Sequence, residues 1–224
     1  MISFSDPHAV ARYAEGPAHL VPGLQAMQRM AALLLAEAVP AHGRVLVLGA
    51  GGGLELKVFA QAHPGWRLVG VDPSAPMLRL ARDTLGALAE DIELIEGDIQ
   101  AAPLAPFDGA ACLLTLHFLP EARRLETLRG LARRLKPGAP LVVAHHSVAR
   151  AGRRRWLRRY AAFGAASGLP ETQAAQAAEA IAQRLPLLSP EEDEALMREA
   201  GFADVELFYA GFTFRGWVAR MPGA

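Results

Sequence analysis

The sequence is poor in the residues that build covalent scaffolds and metal cages. Its 224 residues include one cysteine, Cys112, so no internal disulfide can form. Cys112 lies inside an apolar run and reads as a small core residue rather than a nucleophile. No H-E-x-x-H and no paired C-x-x-C occurs, so no metal is expected. There is also no excess of charge, since 23 basic and 23 acidic side chains balance to zero. Nothing global therefore draws the chain to nucleic acid or to an anionic membrane, which leaves only local patches to do so. Long apolar runs are missing too. Leu33 to Ala38 is interrupted by Glu37, and no run reaches the ~20 residues of a spanning helix. Met1 to Pro7 lacks the basic start and apolar core of a signal peptide. The expectation is a soluble, cytoplasmic protein without membrane contact.

What is present is a globular composition, 52% hydrophobic and 21% charged. The length predicts one domain over residues 1–224, with an N-terminal helical segment at 1–42 and a helical insert at 148–188. Met27, Met30, Ala31, Leu34 and Leu35 fall on one face of a helix from Leu24 to Ala38. Arg44–Leu48 and Arg67–Val71 read as buried strands. Further strands are expected over Asp91–Glu96, Gly109–Leu116 and Pro140–His145, with helices over Leu54–His63 and Glu121–Leu135. Ser74 is placed to cap the helix that carries Met77 and Leu78. Strand and helix alternate to this point, which predicts a parallel sheet with helices on both faces. After the insert, Ser189-Pro190-Glu191-Glu192 has the marks of a capping box. Asp204–Tyr209 and Phe212–Ala219 then form a hairpin. The predicted fold class is α/β, a Rossmann-like seven-stranded sheet with its last strand antiparallel.

The first strand runs into Gly49-Ala50-Gly51-Gly52-Gly53. In open α/β sheets, ligands bind beyond the carboxyl ends of the strands where the strand order reverses. A loop without side chains lets the backbone approach a ligand, and the next helix offers free N–H groups. The dinucleotide fingerprint needs a third glycine where this chain has Leu54. The G-x-G-x-G pattern resembles the first motif of class I S-adenosylmethionine-dependent methyltransferases. Val69-Gly70-Val71-Asp72-Pro73-Ser74-Ala75-Pro76-Met77-Leu78 resembles that family's acidic motif, and Glu96-Gly97-Asp98-Ile99 its third-strand motif. Phe107-Asp108-Gly109 and Leu135-Lys136-Pro137-Gly138 match its fourth strand and the approach to its fifth.

The resemblance, strong over Arg44 to His146, implies S-adenosylmethionine as cofactor and S-adenosylhomocysteine as product. It implies cofactor contacts from Gly49, Ala50, Gly51, Gly53, Asp72, Pro73, Met77, Asp98 and Ile99. Asp72 would take the ribose hydroxyls, Asp98 the adenine amine, and Ile99 the ring face. Both chain ends, from Leu20-Val21-Pro22-Gly23-Leu24 to Ala200-Gly201-Phe202 and beyond, are similar to the carboxy-S-adenosylmethionine synthases. That narrower group implies further contacts at Leu24 and Leu113, where it carries tyrosine and asparagine. Its carboxylate-clamping arginine aligns with Ala180, with Arg184 the nearest arginine. An arginine–carboxylate pair supplies two charge-assisted hydrogen bonds and alanine supplies none, so an ordinary cofactor is the expectation.

An acceptor must lose its proton for methyl transfer, and histidine titrates in the useful range. His117, His145 and His146 follow the fourth and fifth strands, with His117 the first choice. Tyr13 is a candidate lid residue, and each of these side chains could equally be structural. Arg153-Arg154-Arg155-Trp156-Leu157-Arg158-Arg159 reads as the solvated face of an amphipathic helix, with an anionic partner as the alternative. The expected partner is a small-molecule acceptor. A carboxy-cofactor synthase or tRNA-modification enzyme and a non-catalytic binding module are the competing readings. Nucleic acid is the less favoured partner, and a homodimer would form through the insert.

Overall fold

A computed structural model of the chain describes residues 16–223; Tyr13 lies outside them. Seven strands form one sheet: β1 (Arg44–Leu48), β2 (Arg67–Asp72), β3 (Glu93–Glu96), β4 (Gly109–Leu113), β5 (Pro140–His146), β6 (Ala203–Gly211) and β7 (Phe214–Arg220). Their order is β3-β2-β1-β4-β5-β7-β6. The first five strands pair in parallel, and β7 runs antiparallel to both of its neighbours. This is the expected sheet with its reversed last strand. Because β1 sits between β2 and β4, the order reverses at β1, and the crevice this creates opens where the glycine loop begins.

Eight helices cover the sheet among the described residues: α1 (Gly16–Leu20), α2 (Leu24–Ala36), α3 (Leu54–Ala62), α4 (Ala75–Leu85), α5 (Glu121–Ala132), α6 (Arg153–Ala166), α7 (Glu171–Arg184) and α8 (Pro190–Glu199). Alternate side chains of each buried strand feed two cores. Val45, Val47, Ala111 and Val142 pack with Met27, Leu35, Phe59 and Tyr160 on one face. Leu46, Leu48, Cys112 and Val143 pack with Leu128, Leu131, Met197 and Trp217 on the other.

The capping box at α8 forms as expected. Ser189 Oγ accepts the Glu192 N–H at 3.2 Å, and the Glu192 carboxylate accepts the Ser189 N–H at 2.7 Å. Ser74 caps α4 through the Met77 N–H at 3.3 Å. The insert breaks at Gly168 and Pro170 into two helices.

Several boundaries differ from the expectation by one to three residues, and three of them have a clear cause. Helix α5 stops at Ala132 because Arg134 to Lys136 hydrogen-bond to Phe107 and extend beside it. Strand β4 stops at Leu113, whose carbonyl accepts the Thr115 hydroxyl at 3.0 Å, and Leu114 turns to φ 56°. Asp91 is drawn into a 3-10 turn over Gly86–Asp91, which shortens β3. On α2 the buried stripe is Leu24, Met27, Gln28, Ala31, Ala32 and Leu35. It is rotated from the expected face, leaving Met30 and Leu34 only half-buried. On α6, Leu157 and Tyr160 face inward while Arg154, Arg155, Arg158 and Arg159 are exposed. No helix among the described residues is long and apolar enough to cross a membrane.

Candidate active site

The loop that leaves β1 is shaped by left-handed glycines, Gly49 (φ 75°), Gly51 (φ 50°) and Gly53 (φ 79°). Such angles disfavour any residue with a side chain. Space enforces glycine as well, because a Cβ on Gly49 would fall 1.9 Å from Thr115 Oγ1. The loop therefore lies directly against the turn after β4. Gly49 and Ala50 donate their N–H groups to the Val71 carbonyl at 2.8 and 3.0 Å.

Asp72 closes β2 and ties that strand to the loop. Its Oδ2 accepts the Gly51 N–H and its Oδ1 the Ser74 N–H, both at 2.9 Å. Burial raises its carboxyl above the ordinary value, and the two amides oppose that rise. Pro73 beside it is exposed and Met77 is buried. Asp98 is exposed; its Oδ1 accepts the Gln100 N–H at 2.9 Å and its Oδ2 lies 3.5 Å from Arg123. Ile99 belongs to the core under α5, so close to Gly130 that a Cβ there would meet it at 2.6 Å.

A narrow pocket lies between the loop and the roof made by α1 and α2. Pro17, Leu24, Met27 and Gln28 line it from above, and Gly52, Leu54, Glu55, Leu113 and Leu114 from below. Leu24 and Leu113, singled out in the sequence, thus meet at the loop. Gln28, Glu55 and Leu114 were not singled out. Gln28 is a polar residue on a buried helical stripe, and Glu55 an acid in the first turn after the glycines; those were the available signals. Leu114 carried none, because its strained backbone arises only where β4 meets the turn.

The histidines occupy two faces of the sheet. His117 sits in a 3-10 turn after β4, and its Nδ1 accepts the His146 N–H at 3.3 Å. Burial first, then the neighbouring His146, His145 and Arg124, hold its pKa well below the usual imidazole value. His146 stacks on Phe214 with centroids 3.9 Å apart, and its Nδ1 lies 2.9 Å from Thr213 Oγ1. Burial and His145 bring its pKa down to about 3. His145 points to the opposite face, with its Nε2 3.2 Å from Asp193 Oδ1. Asp193 is also paired with fully buried Arg124. Burial alone would raise the Asp193 carboxyl, but His145 and Arg124 outweigh it and hold it below the ordinary value. His145 is therefore built into an ion-pair network under α5 and α8, away from the pocket-lining side chains.

The residues present fit an adenosyl-sulfonium cofactor. A side-chain-free loop stands at the switch point, an acid is fixed beside it, and a buried carboxylate without a cation faces the pocket. Strand order, reversed β7 and loop together define the class I methyltransferase fold. The family described as a methyltransferase domain matches residues 45–138. The carboxy-S-adenosyl-L-methionine synthase of Methylococcus capsulatus is 29% identical over 206 residues, covering 89% of this chain and 85% of that one. An O-methyltransferase family protein from Burkholderia thailandensis superposes with a TM-score of 0.72 at 17% identity, covering 98% of this chain and 61% of that one. Human N-acetylserotonin methyltransferase in complex with SAM superposes with a TM-score of 0.60 at 19% identity, covering 95% and 58%. This chain thus spans about three fifths of those two structures. The chain thus has the fold of the class I methyltransferases, and its residues 45–138 match a methyltransferase domain.

Proposed function

We propose that the chain moves the cofactor's methyl group to a small-molecule acceptor admitted near the carboxyl ends of β4 and β5. The observation that carries this reading is the roof. Helices α1 and α2 cover the loop and leave a narrow pocket that sets apolar Leu24, Met27 and Leu113 beside polar Gln28 and Glu55. Such a roof suits a small, partly apolar acceptor better than a folded nucleic acid.

S-adenosylmethionine supplies a sulfonium methyl that is already activated. The chain's own task is alignment, which contributes about 7–11 kcal/mol in well-oriented reactions. Gly49 to Gly53 bring the backbone close, and Asp72 fixes the loop while presenting a carboxylate beside it. His117 remains the proposed acceptor-facing residue. Because its Nδ1 accepts the His146 N–H, the neutral ring carries its proton on Nε2. In this tautomer it orients an acceptor by donating a hydrogen bond. Action as a base requires release of the His146 contact.

A second reading, synthesis of a carboxylated cofactor, draws support from the Methylococcus relative. Against it, Ala180 stands where that group's resemblance calls for arginine, and the pocket beside the loop holds Leu24, Leu113 and an acid. The test is incubation of the chain with methyl-labelled S-adenosylmethionine and either a panel of small oxygen, nitrogen and sulfur nucleophiles or bulk tRNA. Label in a small acceptor is the expected outcome. Label only in tRNA, or consumption of the cofactor with a carboxylate donor and no methyl transfer, overturns the proposal.

A further inference from the structure

Glu55 is the one pocket-lining residue with an ionisable side chain among the described residues. It sits in the first turn of α3, two residues beyond Gly53, and is only 8% exposed. No Lys, Arg or His forms an ion pair with it, although ten other contacts of that kind are found among the described residues. Its carboxyl bonds to its own backbone N–H. The groups that face it offer no positive charge. They are Asp72 at the end of β2, the neutral Cys112 thiol in β4, Gln28 on α2, and the apolar Leu24, Leu113 and Leu114. A buried acid without a partner is costly unless something supplies the opposite charge.

We propose that the Glu55 carboxylate is the counter-charge for the cationic end of the cofactor, and that it makes the pocket reject a cofactor carrying an added carboxylate. The inference rests on the ordinary-cofactor reading given above and adds a residue and a selection rule to it. The sulfonium and the ammonium of S-adenosylmethionine are both positive. A ligand that brings them beside Glu55 completes an ion pair the protein lacks by itself. A carboxylate attached near the sulfur would offset the positive charge that ionises Glu55, or repel the ionised group in a desolvated site.

The arrangement is coupled to protons. Burial, with the Asp72 charge adding to it, pushes the Glu55 carboxyl up to about 8. In the free protein at neutral pH the group therefore holds its proton, and an arriving cation expels it. Cofactor affinity should rise as pH increases from 6 towards 8 and then level off.

Calorimetry on the full chain tests this directly, with S-adenosylmethionine and S-adenosylhomocysteine titrated at pH 7 in phosphate and in Tris. The difference in enthalpy between the two buffers reports protons released. The unmodified chain should release protons on binding S-adenosylmethionine, and Glu55→Gln should release fewer. The variant should also lose about tenfold in affinity for S-adenosylmethionine and less for S-adenosylhomocysteine, which keeps the ammonium but not the sulfonium charge. Equal affinity and equal proton release in both proteins overturn the proposal while leaving the cofactor assignment standing. Failure of the unmodified chain to bind either sulfur ligand overturns both. The unmodified chain alone supplies a second check, since affinity for S-adenosylmethionine that does not change between pH 6 and 8.5 also overturns the proposal.

Discussion

Asp72 illustrates how much one residue carries at this site. Both of its oxygens accept backbone amides, one from the loop and one from the start of α4. Asp72→Ala removes the loop's anchor together with the proposed ribose contact. We expect it to weaken cofactor binding by about 1–3 kcal/mol, read by calorimetry; unchanged affinity would remove Asp72 from the site. Arg124 and Asp193 form the other decisive pair, both almost fully buried. Truncating one partner strands the other charge, so Asp193→Ala should cost about 3–5 kcal/mol of stability, measured by denaturant melts. Of these residues, Asp72 was legible from its place after a strand and its motif. Arg124 and Asp193 were not, because they are 69 residues apart and meet only when α5 and α8 pack together. His145 stands next to His146 in sequence, and the alternation of β5 sends the two rings to opposite cores.

Among the elements, those with local causes were legible. The α8 start has its cap serine, its proline and its third-position glutamate, and the structure forms both bonds of the box. Ser189→Ala should cost about 1 kcal/mol; a melting curve that does not move would show that tertiary packing alone holds the helix start. Strand β1 was read to the residue because it is buried on both faces and bounded by glycine. Elements whose ends depend on distant partners were misread. Helix α5 gives up its last turn to Phe107, and β4 yields to the Thr115 hydroxyl. The stripe on α2 was misplaced because Gln28 is polar and yet buried, a choice made by the pocket and not by periodicity.

The whole molecule responds to pH through groups that the fold has buried. His146, brought to about 3, and His117, also lowered, stay neutral in the folded protein while the unfolded chain binds protons below about 6.5. Stability is therefore lost as pH falls below that value. Glu55 acts in the other direction. Its folded pKa of about 8 exceeds the ordinary glutamate value of 4.5, so the unfolded chain sheds the proton first and stability falls as pH rises between those limits. From 4.5 to 6.5 the two histidines outweigh the one glutamate, and above 6.5 the glutamate acts alone. Thermal melts of the free protein should peak near pH 6.5, and Glu55→Gln should flatten the decline towards pH 8. A variant that declines as steeply as the unmodified chain would contradict this assignment.

The alternation of strands and helices, the reversed last strand and the place of the glycine loop were determined by the sequence itself, because periodicity, capping and turn chemistry act over a few residues. The same short-range logic placed Asp72 beside the loop. Only the tertiary structure decided what surrounds that loop: the roof from α2, the strained turn at Leu114, the unmatched Glu55 carboxylate and the tautomer of His117. Each depends on contacts between segments far apart in the chain, where burial and electrostatics are set by packing rather than by neighbours in sequence.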